Sequence, residues 1–413
     1  MRKQLTMALA ALAVESAVGI TICVCPPGQG ANNPPYTNWA DASTNIIEAV
    51  NSASDGDVVL VTNGTYILTN QINVVQNITM QSVNGCSNTL VNGNYPNVTN
   101  RCFYVTNAGC VVNGFTITNG ALPSGGSGGG VYLVRGTVKN CLIVNNTIEG
   151  GGVNGLGAGL YIEYGTLTNS VVMRNGGARS GGGAYLSRGY VYNCQFSENT
   201  NTPLTGAAGI RNKYGVVYDT VISDNYGYGM SIENNAFALR CIISGNTFMG
   251  LYFMDANAAA SVKGCLVVSN EVYGIRIYNG TGCVENCTVV DNNIGVCATG
   301  AVIHAASFLN TIIADSTSGT NWFLEPGKTF FTNCCTTPLV TNGPGNIDSP
   351  PLFQNAVAGN YRLAGSSPCI NAGLNQNWMT NAVDLDGRIR IRYRAVDIGA
   401  YEGMHEGTIY IGF

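Results

Sequence analysis

A short repeat with a period in the low twenties runs from about residue 114 to residue 315. Its first unit has six residues, mostly β-branched, and ends in Asn or Asp: CLIVNN (141–146), SVVMRN (170–175), CQFSEN (194–199), TVISDN (220–225), CIISGN (241–246), CLVVSN (265–270), CTVVDN (287–292) and NTIIAD (310–315). A second unit begins with Gly, as in GVYL at 130 and GLYI at 159, and alternates with the first. Units this short predict strands, and the period predicts one supersecondary unit stacked many times.

Stacked strand units of this kind predict a parallel β-solenoid. Each strand pairs with the equivalent strand of the next coil at about 4.8 Å, with two or three strands in each coil. Between Val58 and Phe331 there is room for roughly 11–12 coils, which form a rod of about 55 Å. The chain is therefore expected to be all-β.

Alternation along the first unit assigns its faces. The third residue is apolar in every repeat and is expected to face the core. The first residue shares that face and forms a column of small side chains: Cys141, Ser170, Cys194, Thr220, Cys241, Cys265, Cys287 and Asn310. We interpret the cysteines as packing atoms, because free Cys is commonly buried. The column lacks both His and a CxxC motif, so no metal site is predicted from it.

The sixth residue of the first unit is almost invariably Asn. The column comprises Asn146, Asn175, Asn199, Asn225, Asn246, Asn270, Asn292 and finally Asp315. We expect this column at a turn, where Asn tolerates left-handed backbone geometry and stacked amides hydrogen-bond along the rod.

Composition restricts the partners of the chain. Its 413 residues are 45% hydrophobic and 10% charged, with a formal net charge of −4, and only the N-terminus is basic. Nucleic acid is therefore not expected as a partner.

The N-terminal sequence MRKQLTMALAALAVESAVG has a basic start, an apolar run and small residues, which predicts an export signal within residues 1–25. No other run is long and apolar enough to predict a transmembrane span.

Several motifs carry a resemblance to known families. The GG-x-Y and F/I-x-x-N units resemble the right-handed parallel β-helix of the pectin-lyase-like fold, and GGGVY (128–132), GGAY (182–185) and FSEN (196–199) are similar to repeats of polymorphic outer-membrane proteins. The segment 46–66 resembles the helical cap and first coil of such proteins. The segments GNIDSPPLF (345–353), YRLAGSSPCINAG (361–373) and 384–402 resemble choice-of-anchor Q proteins, which are exported bacterial β-helices.

The resemblance implies a single-stranded right-handed parallel β-helix with an N-terminal helical cap and a C-terminal capping segment. The expected divisions are an export signal (1–25), an N-terminal cap (26–57), the β-helix (58–335) and a C-terminal cap similar to the choice-of-anchor segment (336–413). It also implies a secreted or cell-surface location.

The resemblance raises the possibility of an enzyme, because many pectin-lyase-like proteins cleave polysaccharides. The lyases resemble one another in a calcium-binding Asp cluster with an Arg or Lys base, and the hydrolases carry four short motifs. We find neither the Asp cluster nor the hydrolase motifs in this sequence, so no cofactor and no metal are expected.

One carboxylate pair remains a catalytic candidate: Glu198 and Asp224 hold the fifth position in successive coils, with Arg174 before them. Their expected separation of about 5 Å is that of a retaining glycosidase pair, in which crowding would raise one pKa. The alternative is a solvated column of charges.

The second unit gives a candidate binding surface. Its outward-facing column is predicted to be an exposed stripe made of Tyr132, Tyr161, Tyr185, Arg211, Ser231, Tyr252 and Arg276. Aromatic rings and planar donors suit sugar rings, so this column (Ser231 apart) is the predicted ligand site. The alternative is ordinary cross-strand stacking.

The favoured function is an exported, non-catalytic β-helix that binds a polysaccharide or cell-envelope glycan. A polysaccharide lyase or hydrolase, or a structural or adhesin element, are the alternatives.

The segment VDLDGRIRIRYRAVDIGAYE (383–402) concentrates charge in a chain that has little. A solenoid has open ends with unpaired strand edges, which need covering. We therefore interpret the segment as an ion-paired closure of the C-terminal end, with Ile389 and Ile391 buried and at least two of the arginines bonded to carboxylates or carbonyls.

Overall fold

The computed structural model describes residues 19–151, 155–202, 206–257, 259–303, 306–392 and 394–403. Three parallel sheets, with 13, 12 and 11 strands, run along the molecule, and each complete coil gives one strand to each sheet. Equivalent strands of successive coils pair in register, as in Leu142–Val144 with Val171–Met173. The parallel β-solenoid predicted from the repeat is confirmed, and so is the right-handed coil that the resemblance implied.

Sheet A consists of β1 (Thr21–Val24), β2 (Val58–Val61), β5 (Thr79–Ser82), β8 (Val111–Asn113), β12 (Thr137–Lys139), β16 (Thr166–Thr168), β19 (Tyr190–Tyr192), β22 (Val216–Tyr218), β25 (Phe237–Leu239), β28 (Ser261–Lys263), β31 (Cys283–Glu285), β34 (Ala306–Leu309) and β37 (Thr329–Thr332). Sheet B consists of β3 (Gly64–Ile67), β6 (Thr89–Asn92), β9 (Thr116–Thr118), β13 (Leu142–Val144), β17 (Val171–Met173), β20 (Gln195–Ser197), β23 (Val221–Ser223), β26 (Ile242–Ser244), β29 (Leu266–Val268), β32 (Thr288–Val290), β35 (Ile312–Ala314) and β38 (Cys335–Thr336).

Sheet C consists of β4 (Ile72–Val74), β7 (Phe103–Val105), β11 (Val131–Leu133), β15 (Leu160–Ile162), β18 (Ala184–Leu186), β21 (Ala207–Asn212), β24 (Tyr228–Asn234), β27 (Met249–Ala256), β30 (Tyr273–Gly280), β33 (Ile294–Ile303) and β36 (Thr320–Leu324). A small parallel pair, β10 (Ala121–Leu122) and β14 (Thr147–Ile148), lies beside the rod, and β39 (Phe353–Asn355) pairs antiparallel with β40 (Asn360–Leu363). The described helices are α1 (Ile46–Ser52) and the 3₁₀ turns Glu149–Gly151, Ala356–Ala358 and Asn377–Met379.

The predicted core column is buried and runs through sheet B. Its members pair in register from Ile143 onward, and each is fully enclosed. The last repeat was misaligned by one residue, because Val289 pairs with Ile313 and not with Ile312. Ile312 therefore points outward, yet it is buried by the C-terminal segment that packs there.

The cysteine column is also buried, with free thiols. The backbone N–H of Cys241 donates to Sγ of Cys265 at 3.3 Å, and that of Cys265 donates to Sγ of Cys287 at 3.4 Å. Because of the same one-residue shift, Thr311 and not Asn310 follows in this column: its Oγ1 accepts from the N–H of Cys287.

The asparagine column forms a continuous buried amide ladder. Nδ2 of Asn199 donates to Oδ1 of Asn225 at 3.0 Å, and Nδ2 of Asn225 donates to Oδ1 of Asn246 at 3.0 Å. One detail of the prediction was wrong. The left-handed backbone belongs to the residue before each ladder Asn, for example Glu198 (φ 55°) and Asp224 (φ 56°), and Asp315 (φ 52°) also holds this preceding position. The turn is made by the exposed residue, so the ladder Asn is free to point its amide inward.

The N-terminal end is covered by a strand, a loop and a helix. Strand β1 pairs in register with β2, so residues 21–24, at the end of the range 1–25 assigned to an export signal, belong to sheet A. Residues 1–18 lie outside the described residues. Helix α1 is capped by Asn45, whose side chain accepts from the N–H groups of Ile47 and Glu48, and it packs on β1, β2 and β4.

The C-terminal part does not plug the end of the rod as a unit. Val340 joins the main core, and Nδ2 of Asn346 donates to the carbonyls of Phe331 and Val340, so the loop after β38 closes the last coil. The segment that follows turns back along the rod. Its Tyr361, Leu363, Cys369, Ile398, Ala400 and Tyr401 pack on the outer face of sheet B, against strands from β29 to β38. We call residues 348–403 the lateral brace.

The arginine-rich part of the lateral brace has its faces reversed from the prediction. Ile389 is 58% exposed, whereas Arg390 is fully buried and donates to the carbonyls of Gly399 and Ala400 and to Glu402. Arg388 donates to the Glu402 carbonyl. The expectation that two arginines bond carboxylates or carbonyls is thus confirmed. The expected burial of Ile389 and Ile391 was wrong: Ile389 is exposed and Ile391 is only half-buried, because the Arg390 guanidinium, bonded through both of its Nη atoms, takes the inner side.

Candidate functional site

The structure places every predicted ligand residue in one column on the outer face of sheet C. Registered pairs join them in order: Tyr132, Tyr161, Tyr185, Arg211, Ser231, Tyr252 and Arg276. The column also begins earlier than predicted, because Tyr104 on β7 pairs with Tyr132. The sequence analysis missed Tyr104, which precedes the recognised repeats; its unit, FYV at 103–105, has the same inward–outward–inward pattern as VYL at 131–133.

The tyrosine rings of this column stack on one another. The ring centroids of Tyr132 and Tyr161 are 4.8 Å apart, and those of Tyr161 and Tyr185 are 5.1 Å apart with an angle of 3° between the ring planes. The guanidinium group of Arg211 lies 5.5 Å from the ring centroid of Tyr185. The ring faces are therefore largely occupied by neighbours, and Tyr185 and Ser231 are buried. The expected exposed stripe is instead a partly buried column whose rings stack across the strands.

A cleft of about 360 Å³ opens where the tyrosines give way to Arg211. It is lined by Arg179, Ser180, Gly206, Ala207, Arg211, Tyr228, Ser231, Glu233, Tyr252 and Met254. The cleft forms because β21, β24 and β27 have six to eight residues, whereas the earlier strands of sheet C have three. Longer strands carry extra side chains, such as Tyr228 and Glu233, up beside the column.

Glu233 fixes Arg211 in this cleft. Its Oε1 accepts from Nε of Arg211 at 2.7 Å, its Oε2 accepts from Nη2 at 3.2 Å, and Oγ of Ser231 donates to Oε1 at 3.1 Å. Glu233 is almost fully buried, whereas Arg211 is partly accessible. A two-point pair of this kind holds the guanidinium plane in one orientation. The sequence analysis missed Glu233, which lies outside the repeated column positions.

The tyrosines at the cleft remain protonated over a wide pH range. Burial raises the pKa of Tyr228 to about 12, with Tyr252 nearby adding to the shift. Burial likewise raises the pKa of Tyr132 to about 12, and those of Tyr161, Tyr185 and Tyr252 move in the same direction for the same first cause. Each hydroxyl is thus kept as a hydrogen-bond donor, not as a base.

A second row of side chains borders sheet C at the turn into sheet A. Arg135, Tyr164, Arg188 and Tyr214 occupy the same position, just before Gly, in four successive coils. The guanidinium of Arg188 lies 5.5 Å from the ring centroid of Tyr164 and 5.1 Å from that of Tyr214. Both rings are exposed, at 49% and 39%. This alternation of cation and aromatic ring adds planar donors beside the cleft.

Arg276 is held by its own neighbours. Its Nη1 donates to Oγ1 of Thr299 at 2.8 Å, and its Nη2 donates to the carbonyl of Thr299 at 3.0 Å. Its guanidinium also lies 5.6 Å from the ring centroids of Tyr273 and Tyr278. We therefore regard it as an anchored member of the column, at its far end from the tyrosines.

The carboxylate pair does not have the electrostatics of an acid–base pair. Nε of Arg174 donates to Oε2 of Glu198 at 2.8 Å, and this hydrogen bond lowers the pKa of Glu198. The prediction that crowding would raise one pKa is thus wrong for Glu198, because the hydrogen bond from Arg174 favours the charged carboxylate. Glu198 and Asp224 lie on exposed turns, with left-handed backbone, away from the sheet C cleft.

Two further features bear on chemistry. Over the ranges that the structure describes, no three His, Cys, Asp or Glu side chains come together in an arrangement able to hold a metal ion. Within the same ranges, no helix has the length and apolar character needed to cross a membrane.

Comparisons with known proteins agree on the fold. A family model described as "Right handed beta helix region" matches residues 103–265. No curated protein matches the sequence. Among solved structures, pectate lyase Pel9A is similar with a TM-score of 0.56 and 15% identity, over 94% of this chain and 97% of that chain. The A-module of the Azotobacter vinelandii mannuronan C-5 epimerase AlgE4 gives a TM-score of 0.44 and 13% identity, over 74% of this chain and 94% of that chain.

The PL6 family alginate lyase AlyGC gives a TM-score of 0.46 and 12% identity, over 81% of this chain and 54% of that chain. At 15% identity, the likeness to pectate lyase Pel9A shows a shared fold alone. The chain is a right-handed parallel β-helix protein with the architecture found in pectate lyases.

Proposed function

We propose that this protein is an exported or surface-associated β-helix that binds a glycan, without cleaving it, on the outer face of sheet C. The observation that carries the proposal is the cleft in which Arg211, held by Glu233, meets the edges of Tyr228 and Tyr252. Fixed planar donors beside aromatic groups are the chemistry that orients sugar hydroxyl and carboxylate groups.

The shape of the face also supports a polymer as the ligand. The tyrosine column leads into the cleft from one side over four coils, from Tyr104 to Tyr185, and burial raises the pKa values of Tyr132, Tyr161 and Tyr185, which keeps their hydroxyl groups protonated. At about 4.8 Å per coil, these four tyrosines extend over roughly 14 Å, longer than a single sugar ring. A polysaccharide or cell-envelope glycan fits this surface better than a monosaccharide.

The alternative function is a polysaccharide lyase or hydrolase, as in the pectate lyase whose fold this chain shares. Such a reaction requires a group that takes up a proton near neutral pH. In the cleft, Tyr228 has its pKa raised to about 12, and the Glu233 carboxylate is already bonded to Arg211 and Ser231. These contacts favour binding over cleavage. A structural or adhesin role remains a third candidate.

Export itself rests on the N-terminal sequence and on the resemblance of residues 345–402 to choice-of-anchor Q proteins. Most of these resembling residues lie in the lateral brace. It is packed on the rod, which leaves sheet C uncovered on the other side of the coil.

The test is a glycan array with the purified protein, followed by affinity measurements on the best ligand. Tyr252→Ala and Tyr161→Ala should each weaken binding by up to about tenfold, because an aromatic contact contributes about 0.5–1.5 kcal/mol. Tyr192→Ala is the matched control, since Tyr192 stacks on Tyr218 at 5.0 Å but lies on sheet A.

Release of reducing ends or unsaturated products is assayed on the same panel. Product formation that disappears in Glu198→Gln or Asp224→Asn would overturn the non-catalytic proposal. Equal loss of affinity in Tyr192→Ala and Tyr252→Ala would show that the site is not on sheet C.

A further inference from the structure

Two cysteines meet where the lateral brace packs on the last strand of sheet B. Cys335 lies on β38 and pairs in register with Ile312 of β35, whose side chain points outward into the brace. In-register partners share a face of the sheet, so Cys335 points outward as well. Cys369 belongs to the lateral brace and lies in the same buried cluster. Both side chains are enclosed, and both thiols are free in the structure.

A short stretch of the lateral brace fixes the positions of these two cysteines. Sγ of Cys335 donates to the carbonyl of Ser349 at 3.2 Å. Oγ of Ser367 donates to the carbonyl of Pro351 and accepts from the backbone N–H of Cys369 at 3.2 Å. Because Ser349 and Pro351 are near neighbours in sequence, both cysteines are anchored to the same part of the brace.

The two thiol groups are also direct neighbours. The Cys335 thiol is the first cause that raises the pKa of Cys369, ahead of burial. Cys335 projects from sheet B, and Cys369 enters the same cluster from the brace that covers this sheet, so the side chains approach each other from facing layers. A disulfide requires side chains that point towards each other, with Cβ atoms about 3.5–4.5 Å apart. Facing layers supply this orientation.

The cysteine column inside the rod has a different geometry. Cys241, Cys265 and Cys287 occupy equivalent positions in successive coils, so their side chains leave the backbone in parallel. Their Cβ atoms are therefore about 4.8 Å apart, the spacing of the strands, and do not point towards each other. This column suits packing, whereas the pair between the rod and the brace suits a covalent bond.

We propose that Cys335 and Cys369 form a disulfide that fastens the lateral brace to the last coil of the rod. Two S–H bonds break and one S–S bond forms. The two electrons and two protons pass to a disulfide oxidant, such as oxidised glutathione or the disulfide of a thiol oxidoreductase, which leaves as two thiols. The bond does not depend on the glycan site on sheet C. An exported chain would meet such an oxidant.

The enclosed position of the two thiols determines when the bond forms. In the folded protein both side chains are shielded from solvent, so an oxidant has little access to a thiolate. The exchange therefore takes place before the brace has docked, during folding. The docked brace then protects the bond from reductants, and the closed loop restricts the chain between residues 335 and 369 in the unfolded state.

Refolding of the fully reduced full-length chain in a mixture of reduced and oxidised glutathione tests the proposal. Free thiols are then alkylated under denaturing conditions, and the peptides are mapped by mass spectrometry. Most molecules should carry a link between Cys335 and Cys369, and Cys369→Ser should lose it. Cys334→Ser is the matched control: Cys334 is adjacent in sequence but lies in the main core, so this variant should keep the link. A link made by Cys334, or complete alkylation of Cys369 in the wild type, overturns the proposal.

Limited proteolysis gives a second measurement that does not rely on peptide mapping. Val357, in the 3₁₀ turn Ala356–Ala358, is fully exposed and lies between the two cysteines in sequence. After elastase cuts the oxidised protein at this turn, the two fragments should stay joined on a denaturing gel without reductant and separate when it is added. Cys369→Ser should give separate fragments in both gels. Circular dichroism confirms that each variant is folded. Fragments of the oxidised wild type that separate without reductant contradict the disulfide.

Discussion

Nη1 of Arg390 lies 3.2 Å from Oε1 of Glu402, and both side chains are enclosed between the lateral brace and the rod. The guanidinium also donates to the carbonyls of Gly399 and Ala400, and its atoms come close to Gly264 on the rod. Removing the guanidinium would leave the buried carboxyl group of Glu402 and the two carbonyls without their donor. This pair thus controls how firmly the lateral brace is held against sheet B.

Arg390→Met should lower the free energy of unfolding by about 3 kcal/mol, because it strands a buried carboxyl group and two carbonyls. Chemical denaturation followed by circular dichroism measures the change. Ile389→Ser, one residue earlier on the exposed side, should change stability by less than about 0.5 kcal/mol. A larger effect of Ile389→Ser than of Arg390→Met would contradict the orientation described here.

Stability should fall as pH rises from about 5 to 9. Burial raises the pKa of Glu402 from 4.5 to about 8, against the opposing effect of Arg390. The folded state therefore binds this proton more tightly than the unfolded chain does. Its stabilising contribution is complete below about pH 4.5 and is lost as pH passes through 8. Denaturation midpoints across this range should show the decline, and Glu402→Gln should reduce the slope. An unchanged slope in that variant would assign the effect to another group.

Much of the rod could be predicted from sequence because its order is periodic. The inward column from Ile143, the buried cysteines and the amide ladder all repeat every coil, so each copy supports the interpretation of the others. The prediction failed where periodicity ends. At Asn310 two frames, NTIIAD and TIIADS, both resemble the repeat, and only the pairing of Val289 with Ile313 distinguishes them.

The candidate site and the lateral brace were harder to predict for a related reason. The cleft depends on Glu233, which lies beyond the repeated column and meets Arg211 only through the stacking of β21 on β24. In the lateral brace, Ile389 was predicted to be buried only because its side chain is hydrophobic. The structure instead buries Arg390, because two carbonyls and a carboxyl group 9 to 12 residues away accept hydrogen bonds from its two Nη atoms.

The amide ladder should contribute strongly to the stability of the rod. In Asn225→Ala, the N–H and Nδ2 of Asn199 lose their acceptor, and the carbonyls of Phe196 and Ser223 lose a donor. Each buried group left without a partner costs about 1–3 kcal/mol, so a loss of at least about 3 kcal/mol is expected. Asn193→Gly removes an exposed amide contact to Asn169 and keeps a residue suited to positive φ. It should cost much less; equal effects in thermal melts would contradict the buried ladder.

Glycan affinity should be nearly constant between pH 6 and 9. Tyr228 and Tyr132 both have pKa values raised to about 12, so neither hydroxyl loses its proton in this range. Arginine stays charged throughout. Titration calorimetry at several pH values measures the affinity. A fall with a midpoint below pH 9 would indicate that a different titrating group contacts the ligand.

Thiol reagents should modify the folded protein at very few positions. Burial raises the pKa values of Cys141 and Cys194 to about 12, and Cys283, beside Glu285, is raised to about 12 as well. Because the thiolate is the reactive form, these side chains should resist iodoacetamide near neutral pH. Cys86, which is only partly buried, is expected to react first. Mass spectrometry after brief labelling, with and without denaturant, checks this order. Rapid labelling of Cys141 or Cys194 in the folded state would contradict the buried cysteine column.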